Sequence, residues 1–313
     1  MTAASALTVT AALAQARAEG LDRLDAQLLL AHHLGRPRTW LMANDEAVIA
    51  GAQAQAFAAD CARRAAGIPL AYLLGWREFH GLRLQVSPDV LVPRPDTECL
   101  VEWALECLSP STNPPMQATA DVLATSAAQR PPQVLDLGTG SGAVALAVAH
   151  ALKATATAAQ VTATDLSPSA LRMASLNAHA LGLAVELIPG AWWQAVAGRQ
   201  FDLVVSNPPY IAEGDQHLAA LHAEPMLALV SGHDGLGALR EIVAGSPPHL
   251  RPGAWLLLEH GFDQATAVQG LLQAAGFEAI ATRQDLAGLP RCSGGRWPNG
   301  SPSTVLPPSP GAT

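Results

Sequence analysis

The sequence predicts an α/β protein, a doubly wound and mostly parallel sheet preceded by a small helical domain. Three observations carry that reading. Residues 4 to about 66 repeat apolar side chains at helical spacing. From Gln133 a short apolar strand runs into a glycine-rich turn and then an apolar helix, the opening of a βα unit. At Phe201-Asp202-Leu203-Val204-Val205 a second apolar strand is stopped by Ser206-Asn207-Pro208-Pro209-Tyr210, because two consecutive prolines cannot continue a ladder. At 313 residues the chain is long for one core, so a small domain plus a larger one is the natural split.

In chain order, Leu7 to Ala18 and the stripe Leu24, Leu28, Leu29, Leu30 read as helices, the second ended by Gly35 and Pro37. A further helix covers about Glu46 to Ala66, and this helical domain is assigned residues 1–70. His32 and His33 are adjacent, so they do not share a helix face and read as ordinary partly buried residues. Residues 71–95 form a linker in which Trp76 to Val86 alternates as a β-hairpin, with its turn at Gly81-Leu82. After the stiff Pro93-Arg94-Pro95, Asp96 or Thr97 caps a helix carrying Leu100, Val101, Trp103, Ala104 and Leu105. Residues 109–131, rich in Pro, Ser, Thr and Ala, read as a flexible surface insertion. Residues 96–297 form the larger domain and 298–313 a disordered tail.

Composition narrows the function classes. The chain carries 18 Lys plus Arg against 26 Asp plus Glu, a net charge of -8, and Lys153 is its only lysine. That balance argues against a broad electrostatic footprint on nucleic acid, so no direct nucleic-acid partner is expected. Cys61, Cys99, Cys107 and Cys292 make no CxxC pair and no zinc spacing, so they read as reduced thiols, and no metal site is expected. No basic region precedes the apolar part of the first twenty residues and no apolar run reaches membrane-spanning length. The expectation is a soluble cytoplasmic protein without a membrane partner.

Candidate site residues cluster at predicted strand ends, where open α/β sheets bind ligands. Gly138-Thr139-Gly140-Ser141-Gly142 lets backbone approach a ligand and turns helix N–H groups toward it. With Ala143 counted, the turn also satisfies the looser dinucleotide pattern, which keeps an NAD enzyme among the readings. The next strand, Gln160 to Thr164, ends in Asp165, placed to bind ribose hydroxyls, and Ser167-Pro168 starts a helix. Val185 to Pro189 is a third strand, and Trp192 or Trp193 beyond it can cover an adenine, although a tryptophan pair is more often core.

Asn207 Oδ1 and the Pro208 carbonyl can each accept a hydrogen bond, so together they can hold both hydrogens of a planar NH2 group. Pro209 stiffens that unit and Tyr210 offers a π-face. Such a hook suits N-alkylation of an amide or an exocyclic amine. Downstream, Glu213 to Leu229 reads as a loop and short helix over the site, Gly235 to Ala244 and Gln264 to Ala275 as helices, and Ala254 to Glu259 and Phe277 to Ala281 as strands. Glu259 and His260, at a strand end, read as structural or loop-positioning residues rather than as an acid–base pair.

From about Ala71 to Trp297 the chain resembles the HemK/PrmC family, the release-factor glutamine N5-methyltransferases. The resemblance rests on Tyr72 to Phe79, Leu91-Val92-Pro93-Arg94-Pro95-Asp96-Thr97-Glu98, Asp136 to Gly142, Ser206 to Ile211, Leu258-Glu259-His260-Gly261 and Asp285 to Arg291. Asn-Pro-Pro-Tyr is shared by many methyltransferases, and the Arg-Pro-Asp-Thr-Glu segment is what discriminates. The resemblance implies a class I methyltransferase fold with a seven-stranded sheet, its last strand near Pro290 to Trp297. It implies S-adenosyl-L-methionine as cofactor, held by Gly138 to Gly142 and by Asp165, with Trp192 beside the adenine and Asn207 facing the methyl donor.

By the same resemblance Asn207 and Pro208 accept the hydrogens of a glutamine amide, with Pro209 and Tyr210 completing the substrate site. The substrate implied is the Gly-Gly-Gln tip of bacterial class 1 peptide-chain release factors, recognised through the N-terminal helical domain. Ala191 departs from the acidic residue that the family often has before this tryptophan. Two rival readings are an N-methyltransferase acting on adenine or guanine in nucleic acid and a non-catalytic cofactor-binding interaction module.

Overall fold

The computed structural model describes residues 7–109 and 130–299. The N-terminal 1–6, nearly all of the Pro/Ser-rich insertion and the tail beyond Asn299 lie outside the described residues. The helical domain consists of α1 (Val9–Ala18), α2 (Arg23–Leu34), α3 (Arg38–Ala43), α4 (Gly51–Ala65) and α5 (Leu70–Leu74). The short α3 and α5 escape a periodicity reading because six and five residues are too few to show a stripe. The fourth helix begins at Gly51 rather than near Glu46, because Val48 is drawn into a bridge with Thr8, with Ile49 N–H donating to the Leu7 carbonyl at 2.8 Å. Leu29, Leu30, Phe57 and Cys61 anchor a core of this domain's own.

A hairpin pairs β1 (Trp76–Phe79) with β2 (Leu82–Gln85). Its turn is His80-Gly81, one residue earlier than the sequence suggests, with φ of 48° and 76°. Two left-handed residues make the primed turn that matches strand twist, and Leu82 is thereby freed to pair with Phe79 and bury.

Then follow α6 (Glu98–Leu108), β3 (Gln133–Leu137), α7 (Ala143–Ala154), β4 (Gln160–Asp165), α8 (Pro168–Leu181), β5 (Glu186–Pro189), β6 (Phe201–Ser206), α9 (Gly237–Gly245), β7 (Leu250–Glu259), α10 (Ala265–Ala274), β8 (Glu278–Gln284) and β9 (Pro290–Arg296). Seven strands make one sheet in the order β5-β4-β3-β6-β7-β9-β8, parallel from β5 to β7 and antiparallel at β9. The central strands read as continuous apolar runs because both faces are covered. Val134, Leu203, Val205 and Leu257 pack with α6 and α7 on one face, whereas Leu135, Leu137, Val204, Leu256 and Leu258 pack with α9 and α10 on the other. Pro252 and Gly253 sit where the β6–β7 register shifts, which is why β7 begins four residues before the apolar run that marks it.

Asn177 of α8 ties these units together. Its side chain accepts from Gln85 N–H at 2.7 Å and donates to the carbonyls of Gln85 at 3.0 Å and of Ser141 at 2.9 Å, joining the hairpin to the glycine loop. The side chain is buried, so nothing replaces those bonds when it is truncated. Asn177→Ala is expected to lower the unfolding free energy by about 1–3 kcal/mol, read from the urea midpoint at unchanged slope.

Candidate active site

Strand register builds the site. Leu137 at the end of β3 pairs with Thr164 of β4 on one side and Ser206 of β6 on the other, and Ser206 pairs with Leu258 of β7. The next residue on each strand is therefore level with its neighbours, which sets Asp165, Gly138, Asn207 and Glu259 in one row across the carboxyl edge. The chain winds outward in opposite directions from β3 and β6, so their junction is the switch point where a crevice opens. Ser206 Oγ donates to the Leu137 carbonyl at 2.7 Å and pins the two strand ends together.

The glycine loop needs its glycines. Gly138, Gly140 and Gly142 have φ of 73°, 57° and 86°, and a Cβ on Gly138 would lie 3.3 Å from the Trp192 ring. Asp136 moors the loop from beneath: its Oδ2 accepts from Thr139 Oγ1 at 2.6 Å and from Ala145 N–H at 3.2 Å. Burial pushes the Asp136 carboxyl up to about 6 against those two hydrogen bonds. Asp165 accepts from Gly140 N–H and Ser167 N–H, each at 2.8 Å, so one carboxylate braces both the loop and the start of α8. Burial raises its pKa while those N–H groups pull the other way.

The tryptophan pair divides between two environments. Trp193 is core, donating Nε1–H to the Ile242 carbonyl at 2.9 Å and stacking on His249. Trp192, half-buried at φ 37°, lies over Gly138 and lines the cavity. A left-handed tryptophan is a strained backbone of the kind that functional sites retain.

A cavity of about 390 Å³, within the range of small-ligand sites, opens between these segments. Gly138, Thr139, Gly140, Ser141, Asp165, Trp192, Asn207 and Pro209 line it, whereas Gly142, Pro208 and Tyr210 do not. Gly142 caps α7 behind the loop, Pro208 is buried, and the Tyr210 hydroxyl donates to Glu259 Oε1 at 3.5 Å. Burial, and then the Glu259 charge, raise the Tyr210 pKa.

Sequence reasoning singled out the Arg-Pro-Asp-Thr-Glu segment but not its partners. Arg94 pairs with the buried Glu224, whose other oxygen accepts from Val92 N–H at 3.0 Å. Asp96 lies 3.5 Å from Arg291, itself held by Asp285 at 3.0 Å, and Glu98 accepts from His80 N–H at 3.0 Å. Thr97 makes no cap bond; its Oγ1 accepts from Asn207 Nδ2 at 3.2 Å. The amide end of Asn207 is thus engaged, and among the described residues its Oδ1 accepts no hydrogen bond. These partners lie 110 to 130 residues away for Thr97 and Arg94, beyond the reach of any local pattern.

A seven-stranded sheet with this topology, a glycine loop, an acidic strand tip and Asn-Pro-Pro-Tyr across the switch point define a methyltransferase of the class I fold. Residues 6–75 match the PrmC N-terminal domain and 112–228 the methyltransferase small domain. The release factor glutamine methyltransferase of Bordetella pertussis is 47% identical over 279 residues, covering 88% of this chain and 95% of that one. That of Xylella fastidiosa is 47% identical over 290 residues, covering 92% and 98%. Among solved structures, the hMettl16 catalytic domain in complex with a 3′UTR hairpin aligns with a TM-score of 0.51 at 17% identity, covering 79% of this chain and 84% of that one, a likeness of fold alone. The chain belongs to the release factor glutamine methyltransferase family.

Asp136 gives a pH test of the loop. Its pKa is raised in the fold, so its contribution to stability is fully present below its ordinary 3.8 and is lost as pH rises through about 6. Between pH 4.5 and 7.5, wild type is expected to lose about 2 kcal/mol relative to Asp136→Asn, measured by urea unfolding without ligand.

Proposed function

We propose that this protein transfers a methyl group from S-adenosyl-L-methionine to the side-chain amide nitrogen of the glutamine in the Gly-Gly-Gln tip of bacterial class 1 peptide-chain release factors. One observation carries the reading: the Gly138 loop and Asn207 follow directly on paired residues of β3 and β6, an adjacency that supports a cofactor cradle beside an amide hook. The residues fit the cofactor. The left-handed Gly138 and Gly140 open the floor of the cavity, Asp165 keeps a partly exposed carboxylate for ribose hydroxyls, and Trp192 supplies a flat apolar wall.

S-adenosyl-L-methionine, when bound, supplies an electrophilic methyl on a positively charged sulfur. An amide nitrogen is a poor nucleophile because its lone pair is delocalised into the carbonyl. Asn207 Oδ1 and the Pro208 carbonyl accept its two hydrogens, which holds the nitrogen in place and raises its electron density. Because Asn207 Nδ2 is given to Thr97, the acceptor end of the side chain is the one left for substrate. Orientation supplies the largest share of the rate, about 7–11 kcal/mol in well-aligned reactions. After transfer the nitrogen is strongly acidic and its proton leaves to solvent.

In this reading the helical domain recognises the release factor, and the compartment is the cytoplasm, where translation runs. Incubation with labelled S-adenosyl-L-methionine and, in parallel, release factor, DNA and RNA tests it. Label is expected on the release-factor glutamine, and label on nucleic acid alone overturns it. Asn207→Ala is expected to abolish turnover and to weaken cofactor binding only modestly, and near-wild-type methylation by that variant refutes the role.

A further inference from the structure

Three large apolar side chains stand in solvent on the side of the site away from the glycine loop. Leu286 is 98% exposed, Phe262 58% and Leu289 41%. Phe262 lies in the turn that follows β7, and the two leucines lie in the turn between β8 and β9. Both turns leave the carboxyl edge of the sheet. Glu259 at the end of β7 pairs with Cys292, so Arg291 and Pro290, which precede it in β9, lie beyond the row of strand ends that holds Asn207. The second turn therefore projects above that edge, with β9 two strands from β6, about 10 Å at 4.8 Å per strand.

We propose that Phe262, Leu286 and Leu289 form a docking rim for the release factor, on which an apolar face of that protein packs while its glutamine enters the cavity. The inference rests on the reaction proposed above and adds a contact surface outside the helical domain. None of the three residues lines the cavity, so neither the cofactor nor the glutamine side chain covers them. A cavity of about 390 Å³ has no room for a protein domain, so the body that carries the glutamine stays outside and spreads over the ground around the entrance. From β6 outward, that ground is the two turns.

Both turns are rigid mounts. Asp285 Oδ1 accepts from Ala287 N–H at 2.9 Å and Leu289 N–H at 3.0 Å, Oδ2 pairs with the Arg291 guanidinium at 3.0 Å, and Asp285 N–H donates to the Leu289 carbonyl at 2.9 Å. Arg291 also lies 3.5 Å from Asp96, which joins this turn to the Arg-Pro-Asp-Thr-Glu segment. In the other turn, Gln264 Oε1 accepts from Gly261 N–H at 2.8 Å and Nε2 donates to the Tyr210 carbonyl at 2.9 Å. Phe262 is thereby mounted on the backbone of the hook itself. A side chain already held out on a fixed backbone leaves less disorder to be lost on association, the preorganisation that favours a contact point. The fold makes almost no use of the Leu286 side chain, so replacing it tests contact rather than folding.

The test uses the full-length protein and an intact release factor, with Kd, KM and kcat measured for wild type, Leu286→Asp and Phe262→Asp. Leu176→Asp, at a leucine of α8 that is 52% exposed, serves as control. Each rim variant is expected to raise Kd and KM for the release factor about tenfold, with kcat at saturation, cofactor affinity and the urea midpoint unchanged. The control is expected to match wild type. Wild-type affinity in either rim variant, or an equal loss in the control, overturns the proposal. A fall of kcat together with the urea midpoint in the rim variants assigns these residues to the fold and overturns it too. So does a wild-type dimer, seen by sedimentation, that Leu286→Asp splits into monomers, since the rim then serves a second copy of the chain. If wild type binds the release factor without methylating it, the reaction falls and the affinities still decide the rim. If it neither binds nor methylates, both fall.

Discussion

The site depends on one constraint, the common register of four adjacent parallel strands. Parallel pairing at Thr164, Leu137, Ser206 and Leu258 makes β4, β3, β6 and β7 end level, and the four following residues differ in chemistry. A slip of one residue in β6 would carry Asn207 away from Gly138 and turn its side chain to the opposite face. The apolar runs that fill both faces of the sheet hold that register, so the hydrophobic core and the active-site geometry are the same restraint seen from two sides.

Around that row, Asp136, Asp165 and Glu224 each meet partners of opposite character. Asp136 and Asp165 convert loose glycine backbone into a fixed cradle by accepting from Thr139, Ala145, Gly140 and Ser167. The Arg-Pro-Asp-Thr-Glu segment is tied at Arg94, Asp96, Thr97 and Glu98 to four other parts of the chain. Such buried networks are worth most when complete, and they specify one arrangement of the groups they connect.

Much of this was legible from residue order. The helix at Pro168 announces itself through the Ser167 cap, which accepts from Ala170 N–H, and β6 ends where two prolines say it must. Errors concentrate where tertiary contact overrode local preference: Thr97 left its cap role for Asn207, Val48 bridged to Thr8 instead of starting a helix, and β7 extended back through Pro252 at a register shift. The Trp192-Trp193 pair shows the limit of local pattern, since only the family resemblance singled out Trp192, which lines the cavity while Trp193 is core.

By itself the sequence determined the βα alternation, the glycine turn, the acidic strand tip and the proline-stopped hook. These depend on backbone chemistry and hydrophobic period, which act over a few residues. Only the tertiary structure decided that Thr97 accepts a hydrogen bond from the Asn207 amide, that the buried Glu259 receives the Tyr210 hydroxyl, and that Glu224 holds Arg94. Those pairings join residues far apart in the chain, and they exist only because the folded sheet removes their polar atoms from water and leaves each other as partners.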